Sequence, residues 1–126
     1  MLDSILLADW TTLVGSTSAS EIIQPANQWL DLPEHEDVIF FLDVKEVGGT
    51  VTMSYETSPS RQSSQFVPMI APISLSVTSQ PRVDRALFAA NSFPLARFLR
   101  WRVQGSGVGS PWDVTFRIWI VAYSYG

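Results

Sequence analysis

His35 is the only histidine in the chain, and it stands among Asp31, Glu34, Glu36 and Asp37, the one neighbourhood whose residue types could serve a metal or acid–base chemistry. Transition metals ask for several nitrogen or sulfur ligands, and one histidine without any cysteine does not supply them. Calcium accepts oxygen alone, but these acids lack the spaced Asp/Asn/Gly pattern of a dedicated loop. The segment reads as a solvated loop. Ser58, Ser60, Ser63 and Ser64 offer hydroxyls, yet no Gly-x-Ser-x-Gly elbow occurs and nothing links the histidine to them. They too read as loop solvation. Paired carboxylates for glycoside hydrolysis are defined by their separation in space, and nothing in the sequence favours such a pair. No catalytic, cofactor-binding or metal-binding residue is expected, and the chain reads as non-enzymatic.

A second chemistry is adhesive. Arg100, Arg102, Arg117 and Trp119 fall on the polar side of two alternating segments, where arginine beside tryptophan on adjacent strands allows stacking and cation–π contact. Such a stripe is either an ordinary exposed face, with arginine stems covering the ring, or a candidate protein interface. Nucleic acid is not an expected partner, because a pI near 4.7 argues against a broad phosphate-binding surface. A carbohydrate platform is the alternative, with Trp29, Trp112 and Trp119 as stacking candidates.

The elements that must position these residues are strands. Leu99, Trp101 and Val103 alternate with Arg100, Arg102 and Gln104; after a break from Gly105 to Pro111, Val114, Phe116, Ile118 and Ile120 alternate with Thr115, Arg117, Trp119 and Val121. Period-two alternation of this length puts one face of each strand in a core. Val38, Phe40, Leu42 and Val44 define a further strand, with Ile39 and Phe41 on its other side, and Thr50 to Thr57 another. Gly48-Gly49 between them predicts a two-residue hairpin. Ile5 to Leu13, Glu21 to Pro25, Gln65 to Ile70, Ile73 to Thr78 (Ile73, Leu75 and Val77 inward) and Val83 to Ala90 complete the expected set. Ser16 to Ser20 reads as a turn, and Pro68, Pro72, Pro81 and Pro94 fall where they would end or edge a strand. About eight strands with turn signals between them and no long helical pattern predict an all-β fold, a two-sheet antiparallel β-sandwich of jelly-roll type.

The 126 residues fit one domain, 1–126, able to bury a real core. With 46% hydrophobic residues and five tryptophans there is too much buriable surface for a disordered chain. No stretch approaches the roughly 18 apolar residues of a membrane span, so no membrane partner is expected. Met1 to Leu7 lacks a basic n-region, which predicts synthesis and folding in a cytoplasm. Charge is divided unevenly: ten acids precede Ser58 against Lys45 alone, whereas seven arginines follow it against Asp84 and Asp113. The halves are electrically complementary, either through neighbouring strands of one monomer or through a negative patch on one copy meeting a positive patch on the next.

Val51-Thr52-Met53-Ser54-Tyr55-Glu56-Thr57-Ser58-Pro59, then Arg97-Phe98-Leu99-Arg100-Trp101-Arg102-Val103 and Val114-Thr115-Phe116-Arg117-Ile118-Trp119-Ile120, resemble the strands of small β-sandwich proteins encoded among the virion genes of tailed bacteriophages. The similarity runs from Trp29 to Ala122. It implies a virion accessory role, such as a capsid decoration or cement protein or a head–tail component. Such a protein is made in the host cytoplasm, located in the virion and bound to capsid or other virion subunits. It also implies homo-oligomers, trimers or larger rings. The same patterns occur in galactose-binding-like modules, but Met1 to Leu7 reads as a poor secretion signal and no dedicated calcium loop is expected.

Overall fold

A computed structural model of the chain describes residues 2–15, 21–86, 95–106 and 111–124. Its strands are β1 (Leu2–Gly15), β2 (Glu21–Ile23), β3 (Leu30–Asp31), β4 (Asp37–Gly48), β5 (Thr50–Ser58), β6 (Val67–Pro68), β7 (Ile73–Ser74), β8 (Arg82–Ala86), β9 (Phe98–Ser106) and β10 (Trp112–Tyr123). Two 3₁₀ turns, Ala26–Gln28 and Ser63–Gln65, are the only helical pieces among the described residues. One sheet, A, has the order β1-β10-β4-β8; the other, B, has the order β2-β9-β5-β6, with β3 extending the β2 edge along β9 and β7 extending the β6 edge along β5. Ten strands thus occupy eight positions, and all pairings are antiparallel. Chain neighbours β1 and β2, β4 and β5, and β9 and β10 lie in opposite sheets. That is the order of a jelly roll, which wraps a double sheet around one interior.

The alternation explains the layers. Val38, Phe40, Leu42 and Val44 of β4 and Val114, Phe116, Ile118 and Ile120 of β10 are buried inward from sheet A. They meet Val51, Met53 and Tyr55 of β5 and Leu99, Trp101 and Val103 of β9. Trp101 and Phe116 pack edge to face across the layers at 5.2 Å and 83°. Each large side chain hidden in this way contributes about 1.5–3 kcal/mol.

Gly48-Gly49 does not make a hairpin. Gly49 takes φ +76° and turns the chain from sheet A into sheet B, so β4 and β5 face each other through their side chains instead of sharing a ladder. Phe40 and Tyr55 stack there with ring centres 3.7 Å apart. A glycine pair relaxes the backbone in either geometry, and burial of both inner faces selects the corner.

Smaller expectations shift as well. The segment around Val67 keeps only two paired residues, β7 keeps Ile73 and Ser74, and Val77 points outward at 62% exposure. Pro68 sits in an edge strand, where its missing donor costs nothing. The strand expected over Val83 to Ala90 is present as Arg82–Ala86. Its remainder, the Ser16 to Ser20 turn, Pro94, and residues 107–110 of the β9–β10 connection lie outside the described residues. Among the described residues no helix is long and apolar enough to cross a membrane.

Candidate functional site

The proposed Arg/Trp stripe divides between two surfaces. Because β9 belongs to sheet B and β10 to sheet A, Arg100 and Arg102 lie on one outer face of the sandwich and Arg117 and Trp119 on the opposite one.

On sheet B one end of the face is covered, around Arg100 and Glu56, while Gln104 and Ile23 at the other end stay exposed. Arg100, only 4% exposed, donates through Nε to Glu56 at 2.8 Å and through Nη1 to Ser63 Oγ at 3.1 Å. Its guanidinium lies 3.9 Å from the Phe66 ring centre and 5.1 Å from that of Trp29. Those two rings pack on each other at 4.7 Å, and with Phe98 they form a second apolar cluster outside the main core. Arg61 and Arg97 flank Phe98, and Arg97 grips Asp31 with two hydrogen bonds that hold its carboxyl below the usual range. Arg102 pairs with Glu21 and lies 3.6 Å from Glu56. Arg100 is therefore a buried latch that fastens two loops over the sheet, and the expectation of an exposed interface residue is corrected. Ser58 is likewise buried: its hydroxyl donates to Ser60 O and accepts from Ser60 N, organising the loop instead of solvating it.

The carbohydrate candidates fare similarly. Trp29 is 9% exposed, inside this cap, with Nε1 donating to Gln24 O at 2.7 Å. Trp112 is 4% exposed and lies in a slot between Gly15 and Gly105; a Cβ built on either glycine would fall within 2.1 Å of its indole. Neither ring presents a face to a sugar. Trp119 alone of the three is on the surface.

Sheet A keeps an open outer face. Register places Leu6, Trp119, Phe41 and Val83 in one row across all four strands. Trp119 is 39% exposed, Val83 is 47% exposed, and Leu6 and Phe41 are half-buried. The adjacent row is Ser4, Val121, Ile39 and Arg85. On the other side Arg117 is opposite Asp43, donating at 3.3 Å, and a register shift in β1 brings Trp10 over its guanidinium at 4.7 Å. Trp10, 47% exposed, belongs to no expected site. The signal for this face was present in the sequence: Ile39, Phe41, Trp119 and Val121 are apolar at the outward positions of strands whose inward positions already fill a core.

The charged halves meet within the monomer: Asp31 with Arg97, Glu56 with Arg100, Glu21 with Arg102 and Asp43 with Arg117. His35 turns from its neighbouring acids to Asp3, 2.6 Å away, so it ties the segment before β4 to β1. Asp37 is buried, which corrects the picture of that segment as wholly solvated. Among the described residues no group of three or more His, Asp or Glu side chains could hold a metal ion.

No family model matches the chain, and no curated protein matches it in sequence. In three dimensions it is similar to a cleaved adhesin domain of Lys-gingipain from Porphyromonas gingivalis, with a TM-score of 0.50 and 10% identity over 100% of this chain and 99% of that one. It is also similar to a structure of infectious bursal disease virus, with a TM-score of 0.51 and 10% identity over 100% of this chain. This chain spans 32% of that one. The VP2 protein of the same virus, in T=1 particles, matches 98% of this chain with a TM-score of 0.50 and 10% identity. These likenesses show a shared fold.

Proposed function

We propose that this protein is a non-enzymatic structural module of a phage-like virion, made in the host cytoplasm, which stabilises the capsid as a decoration or cement protein. It acts by adhesion to shell subunits and to copies of itself. One observation carries the reading: loops and the Arg100 latch cover the Arg100–Glu56 end of one broad face, while the other presents a contiguous apolar row with no cover among the described residues. Apolar sheet faces of this kind mark protein contacts. Aliphatic Val83, Ile39 and Val121 beside Phe41 suit a protein surface better than a sugar, which asks for hydrogen-bonding groups in the ring plane. The resemblance of its strands to those of tailed-phage accessory proteins supports the reading, as does a fold shared with a virus-particle protein.

The test is co-sedimentation of the full chain with phage-like shells assembled without it. Wild type is expected in the pellet with the shells. Trp119→Arg combined with Val83→Arg is expected to weaken that association by about tenfold or more, since aromatic anchors carry most interface energy. Wild-type protein remaining in the supernatant at every concentration removes the proposal.

A further inference from the structure

We infer that the open face of sheet A receives a second copy of this chain, packed about a twofold axis that runs parallel to the strands between β10 and β4. The inference rests on reading that face as a docking surface and names its occupant.

Register carries the argument. The order β1-β10-β4-β8 leaves two strands on each side of the β10–β4 seam. A twofold along that seam lays β10 over the second copy's β4 and β1 over its β8, and it leaves every cross-strand row at its own height. The row of Leu6, Trp119, Phe41 and Val83 then meets itself reversed, so that Trp119 faces Phe41 and Leu6 faces Val83. In the adjacent row Val121 faces Ile39. Arg117 and Asp43 are register partners on the two central strands, so the same operation sets the Arg117–Asp43 pair, with Trp10 beside its guanidinium, against the reversed pair of the other copy. The central apolar residues meet apolar residues, Ser4 meets Arg85 at the ends of the second row, and opposite charges meet opposite charges, the self-complementarity an isologous contact requires. Two arginines in that row would have met two arginines.

Stacked sheets cross at about 30°, which keeps rows near the axis aligned while the corners diverge. Trp119, Phe41, Arg117 and Asp43 all belong to the two strands beside the axis. The size is adequate: strands of 14, 12, 12 and 5 residues, about 4.8 Å apart and rising about 3.3 Å per residue, give a face of roughly 700 Å² per copy. Two such faces clear the roughly 1,000 Å² that separates specific interfaces from casual contacts.

The experiment is sedimentation velocity of the full chain from micromolar to hundreds of micromolar. Wild type is expected to approach twice the 14.0 kDa of one chain. Arg117→Asp and Asp43→Arg, each alone, set like charges across the axis and are expected to stay at the single-chain mass. Mixed one to one they are complementary again, and the doubled mass is expected to return. Far-UV circular dichroism checks that each variant is folded; if either is not, Trp119→Arg decides, with the single-chain mass expected. Wild type at 14.0 kDa throughout, a mixture that stays single, or Trp119→Arg that stays double overturns the pairing. A single-mass wild type that pellets with shells through this face, or whose tryptophan emission a glycan quenches, also overturns it by showing a different occupant; in the shell case the proposed function stands. Doubled mass without shell affinity leaves the pairing and removes the shell-binding role.

Discussion

Arg100 and Glu56 form a buried ion pair on the outside of a sheet: the 2.8 Å hydrogen bond between them is roofed by Phe66 and Trp29. Removing one member of such a pair leaves a charge without water or partner. Arg100→Ala is therefore expected to cost about 3 kcal/mol, with Arg102 retaining part of the compensation for Glu56. Arg100→Met with Glu56→Leu replaces both charges by apolar groups of similar size and is expected within about 1–2 kcal/mol of wild type. Urea midpoints followed by tryptophan emission separate these outcomes. Equal losses in the single and the double variant contradict the latch.

Tyr55 offers a pH-dependent prediction. Its ring stacks on Phe40 in the core, but its buried hydroxyl has no hydrogen-bond partner among the described residues. Burial raises its pKa far above the ordinary phenol range, Asp84 adds to this and Arg82 opposes it. The folded chain thus holds a proton that the unfolded chain releases near pH 10. That contribution is complete below pH 10 and falls as pH rises further, by about 1.4 kcal/mol per unit. Tyr55→Phe is expected to remove this alkaline slope and, by deleting an unsatisfied hydroxyl, to stabilise the protein at neutral pH by about 1 kcal/mol. Denaturation at neutral pH and above pH 10 measures both effects, and an unchanged slope contradicts the assignment.

How far the sequence discloses this molecule depends on which distances matter. The alternation in β4, β9 and β10 is local, so the inward residues from Val38 to Val44 and from Val114 to Ile120 are readable directly, and the parity of β10 already places Trp112 inside and Trp119 outside. Partner choice is not local. Gly48-Gly49 serves a hairpin and a sandwich corner equally well, and only the requirement that β4 and β5 each bury a face decides between them. Arg100 fails for a related reason: its parity points it away from the core, but segments remote in sequence, carrying Trp29 and Phe66, return to cover it. Trp10 escapes the alternation pattern because a bulge turns it over Arg117.

Trp112 provides a steric prediction. Its indole fills the space left by the missing side chains of Gly15 and Gly105, with Cβ approaches of 1.9 and 2.1 Å to ring atoms. The ring is too large to shift aside within a packed core. Gly105→Ala is expected to destabilise by about 1–3 kcal/mol, the usual cost of overpacking. Gly105→Ala with Trp112→Leu makes room for the methyl group and is expected to lose less than the sum of the two single variants. Thermal melts of the four proteins test this, and strict additivity contradicts the slot.

Gln24 ties three segments of the chain together through one side chain. It is almost fully buried and follows β2 directly; its Nε2 donates to Leu7 O in sheet A at 3.1 Å and to Gln28 O at 3.0 Å, while its Oε1 accepts from Trp101 N in sheet B at 3.2 Å. Leu7 lies where β1 slips register against β10, between Leu6 and Ala8, and its carbonyl accepts from Gln24. Gln24 covers that carbonyl and in the same act fastens the edge of one sheet to the other. Gln24→Ala leaves these groups buried without partners and opens a void, with an expected loss of about 3 kcal/mol. Gln24→Glu keeps the shape but cannot donate to two carbonyls when ionised, so its loss is expected to ease as pH falls and the carboxyl regains a proton. Melting temperatures of both variants at pH 4 and pH 7 measure this. A Gln24→Glu deficit that does not change between them shows that packing, not hydrogen bonding, is what Gln24 supplies.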